Sequence, residues 1–457
     1  MKKFLRKVLL PGLLCAAFAL PGCAPAAQGV TATDARTSAV TETSTEATAS
    51  AVNSVTAPET TGSAADLDAI APTAAGSAPI GEISVTTIFE SEFLTLAARK
   101  YEESHSGTKI NIVSSYAADR DMEKYSQIIN TELMSGGGED IIDVSRISWD
   151  KLADRGALLD LNEFLDLTPE EYHMGVMDAY LYNGKRYVVP MCFHFTAYKL
   201  HDAYVGKEPA EDKALTDLIA IADKYPDAKV IDGGTHGMDP AQIASETFSL
   251  DFAEYIDLLN NTADVNNEKF IRMLLDIQAR EGQFQYAEQG EDSVLSQYSL
   301  YGPAMSSAGI HSYDGFFLNA NESGQGVFST MWLEPAINAN TQNPELAADF
   351  IRFLLSEEMQ SSPELMYASV NKKGMAALSR FLYESSAAEG YAPEDYDFDK
   401  NVEAFNDIAS RLSVRENRDT YLEGFIGEEI QKFFDGSQTA ERAAENLQFR
   451  LNTYLQE

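Results

Sequence analysis

Apolar and polar positions alternate between two periods along the first part of the folded chain. Ile83 to Ile88 (ISVTTI) is rich in β-branched residues and reads as a strand, after which Phe93, Leu96, Ala97 and Tyr101 recur at helical spacing. Ile110 to Val113 is a second strand. Met122, Tyr125, Ile128, Ile129 and Leu133 mark a second amphipathic helix, which Gly136 to Gly138 terminate, and Ile141 to Val144 is a third strand. The order β-α-β-α-β predicts a parallel sheet with helices on both faces, and ligands bind beyond the carboxyl ends of such strands. That rule nominates Phe89 to Glu92, Ser114 to Asp119 and Ser145 to Trp149.

Further on, Asn183-Gly184 is a turn dipeptide that opens a strand into Tyr187 to Tyr198 (YVVPMCFHFTAY). Two readings of this run stand open: a core strand with a satisfied histidine, or a crossing between two lobes with Phe193, His194 and Phe195 facing a cleft. Near the end of the chain, Asn343 is positioned to cap a helix whose first residue is Pro344, with Leu346, Ala347, Phe350, Ile351 and Leu354 as its apolar face. Thr439 is positioned to cap the last helix, striped by Ala443, Leu447, Leu451 and Tyr454. These are packing signatures without chemistry.

The 457 residues suffice for two or three domains, and hydrophobic and aromatic fractions of 44% and 10% are those of a globular protein. A formal net charge of −37 argues against nucleic acid as a partner, since phosphate binding needs clustered cations. Residues 1–22 read as a signal peptide: Lys2, Lys3, Arg6 and Lys7 precede an apolar run too short for a permanent span. It ends in Leu20-Pro21-Gly22-Cys23, which resembles the lipobox of bacterial lipoproteins and implies lipidation of Cys23; two acyl chains anchor stably where one does not. Residues 23–80 form the lipidated start and an Ala/Ser/Thr-rich stalk without aromatic residues, with a random-coil reach of roughly 40 Å. The mature chain then keeps one further cysteine, Cys192, best read as a small buried hydrophobe.

Three blocks, GGGEDIID, ADRGALLDLNEFLD and YNGKRYVVPMCF, followed by INANTQNPELAADFIRFLLSEEMQSSPEL, SVNKKGM and EEIQKFFDGSQTAERAAENLQFRLNTYL, resemble the family 1 extracellular solute-binding proteins, the lipoprotein receptors of ABC importers. The resemblance runs from about residue 81 to the end and is weak between 200 and 300, where TAYKLHDAYVGKEPAEDKAL and a Gly/Asp-rich insert depart from the family pattern. It implies an α/β, bilobal, type II periplasmic-binding-protein-like fold. The expected lobes are 81–192 with 304–360, and 193–303 with 361–457. The implied partners are a small polar solute, foremost a mono- or oligosaccharide, and the permease subunits of the importer. The protein is expected as a monomer, lipid-anchored on the outer face of the membrane, with no cofactor and no enzymatic activity. Peptides, polyamines and other small polar solutes are the alternative ligands; a polysaccharide-degrading surface enzyme and a ligand-sensing lipoprotein are the alternative functions.

The chemistry of a sugar cleft calls for aromatic platforms and polar rim groups. Candidate platforms are Phe89, Phe193, Tyr298, Tyr301, Tyr313 and Trp332, and candidate hydrogen-bonding groups are Glu90, Arg146, His194, His311, Glu334 and Asn371. The resemblance singles out His194 at the hinge and Arg146 after the third strand. Gln297 to Phe317 reads as a cleft wall or a second crossing. An enzyme reading rests on Glu90, Glu92 and Glu334 as paired carboxylates. The six histidines show no metal-ligand spacing.

Overall fold

A computed structural model describes residues 79–114, 122–232, 239–284, 292–303, 313, 315–330, 332–388 and 397–456. The signal peptide, Cys23, the stalk and His311 therefore lie outside the described residues. The strands that position the site are β1 (Glu82–Thr86), β2 (Lys109–Val113), β3 (Ile141–Asp143), β4 (Cys192–Phe193), β5 (Phe195–Leu200), β6 (Lys229–Asp232), β7 (Ser293–Leu300), β8 (Phe316–Leu318), β9 (Gly326–Phe328), β10 (Pro335–Ile337), β11 (Ala368–Ser369) and β12 (Leu412–Arg415). The helices used below are α1 (Glu92–Ser104), α2 (Met122–Met134), α3 (Trp149–Asp154), α4 (Met174–Asp178), α5 (Pro240–Leu250), α6 (Glu268–Ala279), α7 (Pro344–Leu354), α8 (Lys372–Ala388), α9 (Phe398–Ala409), α10 (Thr420–Phe434) and α11 (Ala440–Gln456).

One sheet has the order β10-β3-β1-β2, parallel except for β10, which returns antiparallel beside β3. The β-α-β-α-β pattern of the sequence is this sheet. Gly136 and Gly138, at φ 81° and 91°, turn the chain out of α2 as expected, because glycine alone enters that region without strain. The second sheet has the order β8-β5-β7-β6, with β5 antiparallel to both neighbours and β7 parallel to β6. On one of its faces Tyr198, Leu200 and Phe317 join a core with α5, α6, α10 and α11. On the other, Phe195, Ala197, Phe316 and Leu318 pack with Phe405 of α9 in a core continuous with that of the first sheet.

The sheets divide the chain differently from the expected boundaries at 304 and 361. Phe316 to Leu318 pairs with Tyr198 and its neighbours in the second sheet, so the segment 304–360 is split between the two sheets. Within residues 361–388, Met375 and Leu378 join the core that covers the first sheet, and α8 packs beside Glu357–Gln360, where a Cβ on Gly374 would stand 2.6 Å from that of Gln360. A short apolar run has the same pattern in either sheet, and only its long-range partner decides. Asn343 is a smaller correction. Its side chain makes no cap bond to α7 and instead donates from Nδ2 to the Glu82 carbonyl at 3.1 Å, tying the helix to β1. Thr439 does cap, accepting from the Arg442 amide at 3.3 Å.

Three segments pass side by side between the sheets. His194, between β4 and β5, exchanges both backbone hydrogen bonds with Ser329 at 2.9 and 2.8 Å. Just before Ser329, β9 runs parallel to β12, and the Glu416 amide donates to the Phe328 carbonyl at 2.8 Å. The third segment is held from below by α4, where a Cβ on Gly175 would lie 2.1 Å from the Leu412 carbonyl oxygen. Backbone cannot swing aside as a side chain does. Gly175→Ala should therefore destabilise by about 2 kcal/mol, seen as a lower urea midpoint with an unchanged slope.

A candidate ligand cleft at the three crossings

The loop after β3 carries Arg146, and its neighbours bind it to the C-terminal helices. Ser148 precedes α3 but gives it no side-chain cap; its hydroxyl donates to Asp419 Oδ2 at 2.6 Å. Asp419 uses its other oxygen to cap α10, accepting from the Leu422 amide at 2.9 Å. Lys151 Nζ donates to the Tyr454 carbonyl at 2.6 Å and lies 3.7 Å from the centre of that ring. Arg146 thereby faces the first turn of α10, with Nη1 3.9 Å from Glu423 Oε2. Arg418, just before α10, reaches the same carboxylate, Nε 3.2 Å from Oε1, and donates to Glu416 at 3.4 Å. Burial and the charge of Arg418 lower the Arg146 pKa, while burial raises that of Glu423 against the pull of both arginines.

Beneath this pair lies Glu334, fully buried at the start of the return to β10. Tyr180 donates to its Oε1 at 2.6 Å, Thr330 donates to the same oxygen, and the Glu334 amide donates to Asp143 Oδ1 at 3.0 Å. Arg415, the last residue of β12, places Nη1 3.7 Å from Oε2 and its guanidinium 5.0 and 5.4 Å from the Tyr180 and Trp149 ring centres. Burial, then the Glu334 charge, raises the Tyr180 phenol well above its usual value. Glu334 is a buried counter-ion to Arg415 that anchors the third crossing to the first lobe.

Beside the arginines stands an aromatic corner. His194 lies 5.4 Å from Tyr301 and 5.7 Å from Tyr367, ring centre to ring centre; Tyr301 and Tyr367 meet at 68°, and Trp332 and Tyr367 at 80°. Rings edge to face at these distances form walls rather than a stack. His194 Nε2, Trp332 Nε1 and Arg418 Nε are buried without a hydrogen-bond partner, and such atoms are scarce in folded proteins. Burial, then the positive charges of Arg418 and Arg146, lowers the His194 pKa to about 3, so the ring is neutral. Two residues beside the corner, Leu333 (φ 53°) and Met366 (φ 65°), occupy the left-handed region. For branched or long side chains that conformation costs energy and gathers at functional sites.

Of the residues nominated by sequence, Arg146, His194, Tyr301 and Trp332 converge here. The others disperse. Phe193 is fully buried, stacked on Phe195 and packed against Phe328 and Phe405, and Tyr313 is buried with its hydroxyl donating to the Gly302 carbonyl at 3.1 Å. Asn371 is buried too, accepting from the Gly374 amide at 2.9 Å as the cap of α8. Tyr298 is half-buried against Phe316, Phe89 is half-buried on the first core, and Glu90 is exposed. Glu90 and Glu92 face solvent while Glu334 is sealed inside, so the three carboxylates do not form a paired acid site. Cys192 is buried.

Sequence reasoning passed over Tyr367, Arg415, Arg418 and Glu423. A usable signal for the arginines was SVRENRD, two cations within seven residues of a strongly acidic chain. Glu246 on α5 was also passed over. Burial, then the charge of Glu416, raises its pKa to about 8 from the ordinary 4.5. A carboxyl raised on folding stabilises most below its unfolded pKa and loses that contribution as pH rises to the folded one. The stability of Glu246→Gln should therefore gain on the native chain between about pH 4.5 and about pH 8 and hold level above. Urea titrations across that range test this; a gap independent of pH would show that Glu246 titrates normally.

With fold and cleft in view, comparison with solved structures finds extensive similarity at low identity. An extracellular solute-binding protein family 1 member from Alicyclobacillus acidocaldarius aligns with TM-score 0.52 and 13% identity, covering 84% of this chain and 100% of that one. The sugar-binding protein MalE from Xanthomonas citri gives 0.53 and 13%, over 82% and 98%. The cyclic α-maltosyl-1,6-maltose binding protein from Arthrobacter globiformis gives 0.51 and 16%, over 82% and 99%. At this identity the likeness speaks for the fold, which is α/β, bilobal and of the type II periplasmic-binding-protein kind. Residues 97–362 match the model of the bacterial extracellular solute-binding proteins, and the chain belongs to that family. No match was found among curated proteins.

Proposed function

We propose that the protein is the receptor of an ABC importer, lipid-anchored through Cys23 on the extracytoplasmic face of the membrane, which captures a saccharide and delivers it to the permease. It acts as a monomer, without cofactor or catalysis. The observation that carries this reading is the convergence of His194 Nε2, Trp332 Nε1 and Arg418 Nε, all buried without a hydrogen bond, on an aromatic corner where three crossings meet. Sugars supply hydroxyls for such atoms and apolar ring faces for such walls. The first lobe on this reading comprises 81–193 and 329–388, and the second comprises 195–328 and 397–457. A ligand touching both lobes binds the closed arrangement better and shifts the population toward it.

The test is a thermal-shift and small-angle scattering screen of the soluble chain from residue 79 against a saccharide panel. A raised melting temperature with compaction is expected for at least one member; neither change with any member would sink the saccharide reading. Release of the full-length protein into the medium by Cys23→Ala tests the anchor separately.

A further inference from the structure

Arg146 and Arg418 come from opposite sides of the cleft and share one carboxylate, that of Glu423. Neither guanidinium is well used. Arg146, with its side chain 15% exposed, has this 3.9 Å ion pair but no hydrogen bond among the described residues, and Arg418 Nε lies 3.2 Å from Glu423 Oε1 without hydrogen-bond geometry, while its Nη1 donates to Glu416 at 3.4 Å. A guanidinium carries five donors in a fixed fork that matches a carboxylate, and burying it unpaired is costly. Glu423 is the most exposed of the three, its side chain 36% exposed. It is therefore the member of the three that a ligand displaces, and the two ion pairs it gives up are replaced by those of the incoming carboxylate. At the aromatic corner the bias is the same: Trp332 Nε1, buried without a hydrogen bond, only donates, and the positive charges of Arg418 and Arg146 both bear on His194.

We infer that the saccharide carries a carboxylate, as in a uronic acid, which takes the place of Glu423 between Arg146 and Arg418 while the aromatic corner of Tyr301, Tyr367 and Trp332 receives the sugar ring. This inference rests on the saccharide reading above. The chain would hold its own carboxylate in the fork until a ligand brings another. Without ligand, that bridge spans the cleft; with ligand, the same two arginines close on the substrate.

Calorimetry of the soluble chain with trimeric oligouronates, neutral trisaccharides of matched linkage, and the free acids glutarate and citrate separates the outcomes. Oligouronates should bind about tenfold or more tightly than their neutral counterparts, the value of one charge-assisted hydrogen bond. Arg146→Gln and Arg418→Gln should each remove most of that preference, while Glu423→Gln, which takes away the internal competitor, should raise oligouronate affinity severalfold. Glu423→Gln leaves both guanidiniums in place and so still reads the effect if an arginine variant fails to fold. Neutral trisaccharides binding as tightly as oligouronates would overturn the inference and leave the saccharide receptor standing. So would Glu423→Gln with unchanged or weaker oligouronate affinity. Binding of the free acids with failure of every saccharide would overturn the saccharide reading and this inference with it.

Discussion

Arg415→Met should destabilise the protein by about 3 kcal/mol, because it strands the fully buried Glu334 carboxylate without its cation. Tyr180 and Thr330 still donate to Oε1, but Oε2 has no hydrogen bond and only the Arg415 charge nearby. The double variant Glu334→Gln with Arg415→Met should recover a large part of the loss, since a buried pair is costlier to break than to replace. Urea unfolding of the four chains of this cycle gives the coupling directly. A single variant within 0.5 kcal/mol of the native chain would show that water or another cation, not Arg415, stabilises Glu334, on the order of the scatter seen for ordinary surface substitutions. The same change loosens the third crossing, because Arg415 is the point at which β12 grips Trp149 and Tyr180 of the first lobe.

Local elements of the first lobe were legible because their signals are local. Alternating β-branched residues, a helical stripe and a glycine stop each act within a dozen residues, and β1, α1, β2, α2 and β3 followed from them. Asn183 and Gly184, at φ 52° and 75°, form the hairpin turn that their dipeptide announces. The resemblance to solute-binding proteins supplied the fold at large. What stayed hidden was every feature fixed by a distant partner. Phe316 to Leu318 reads as a strand anywhere and joins the second sheet only because β5 is there to pair with it. Glu334 looks like a rim acid until Tyr180, 154 residues away, and Asp143, 191 away, are found beneath it. Arg146 and His194 were nominated by their place in the family pattern, whereas Tyr367 owes its position to the strained residue before it, Met366. Periodicity carries no sign of such strain.

The strained and unpaired groups also predict how binding and stability trade against each other. His194→Leu, a change to an apolar side chain of comparable bulk, should make the ligand-free protein more stable by about 1 kcal/mol and weaken ligand binding about thirtyfold. Both effects have one cause. Nε2 is buried without a partner, so the free protein bears its desolvation and is relieved when the atom is removed. In the complex the same atom gains the partner it lacks, and leucine forfeits that bond. The backbone of residue 194 keeps its two hydrogen bonds to Ser329, so the crossing itself survives the substitution. Since the ring is held neutral, with a pKa of about 3, the native affinity should show no inflection from His194 between pH 5 and pH 8. Denaturation of the free chain and calorimetry with the best-binding saccharide provide the two readings. A loss of stability together with unchanged affinity would make His194 a packed hinge residue and remove it from the site; opposite signs would mark it as a group that the fold leaves unsatisfied for the ligand to complete.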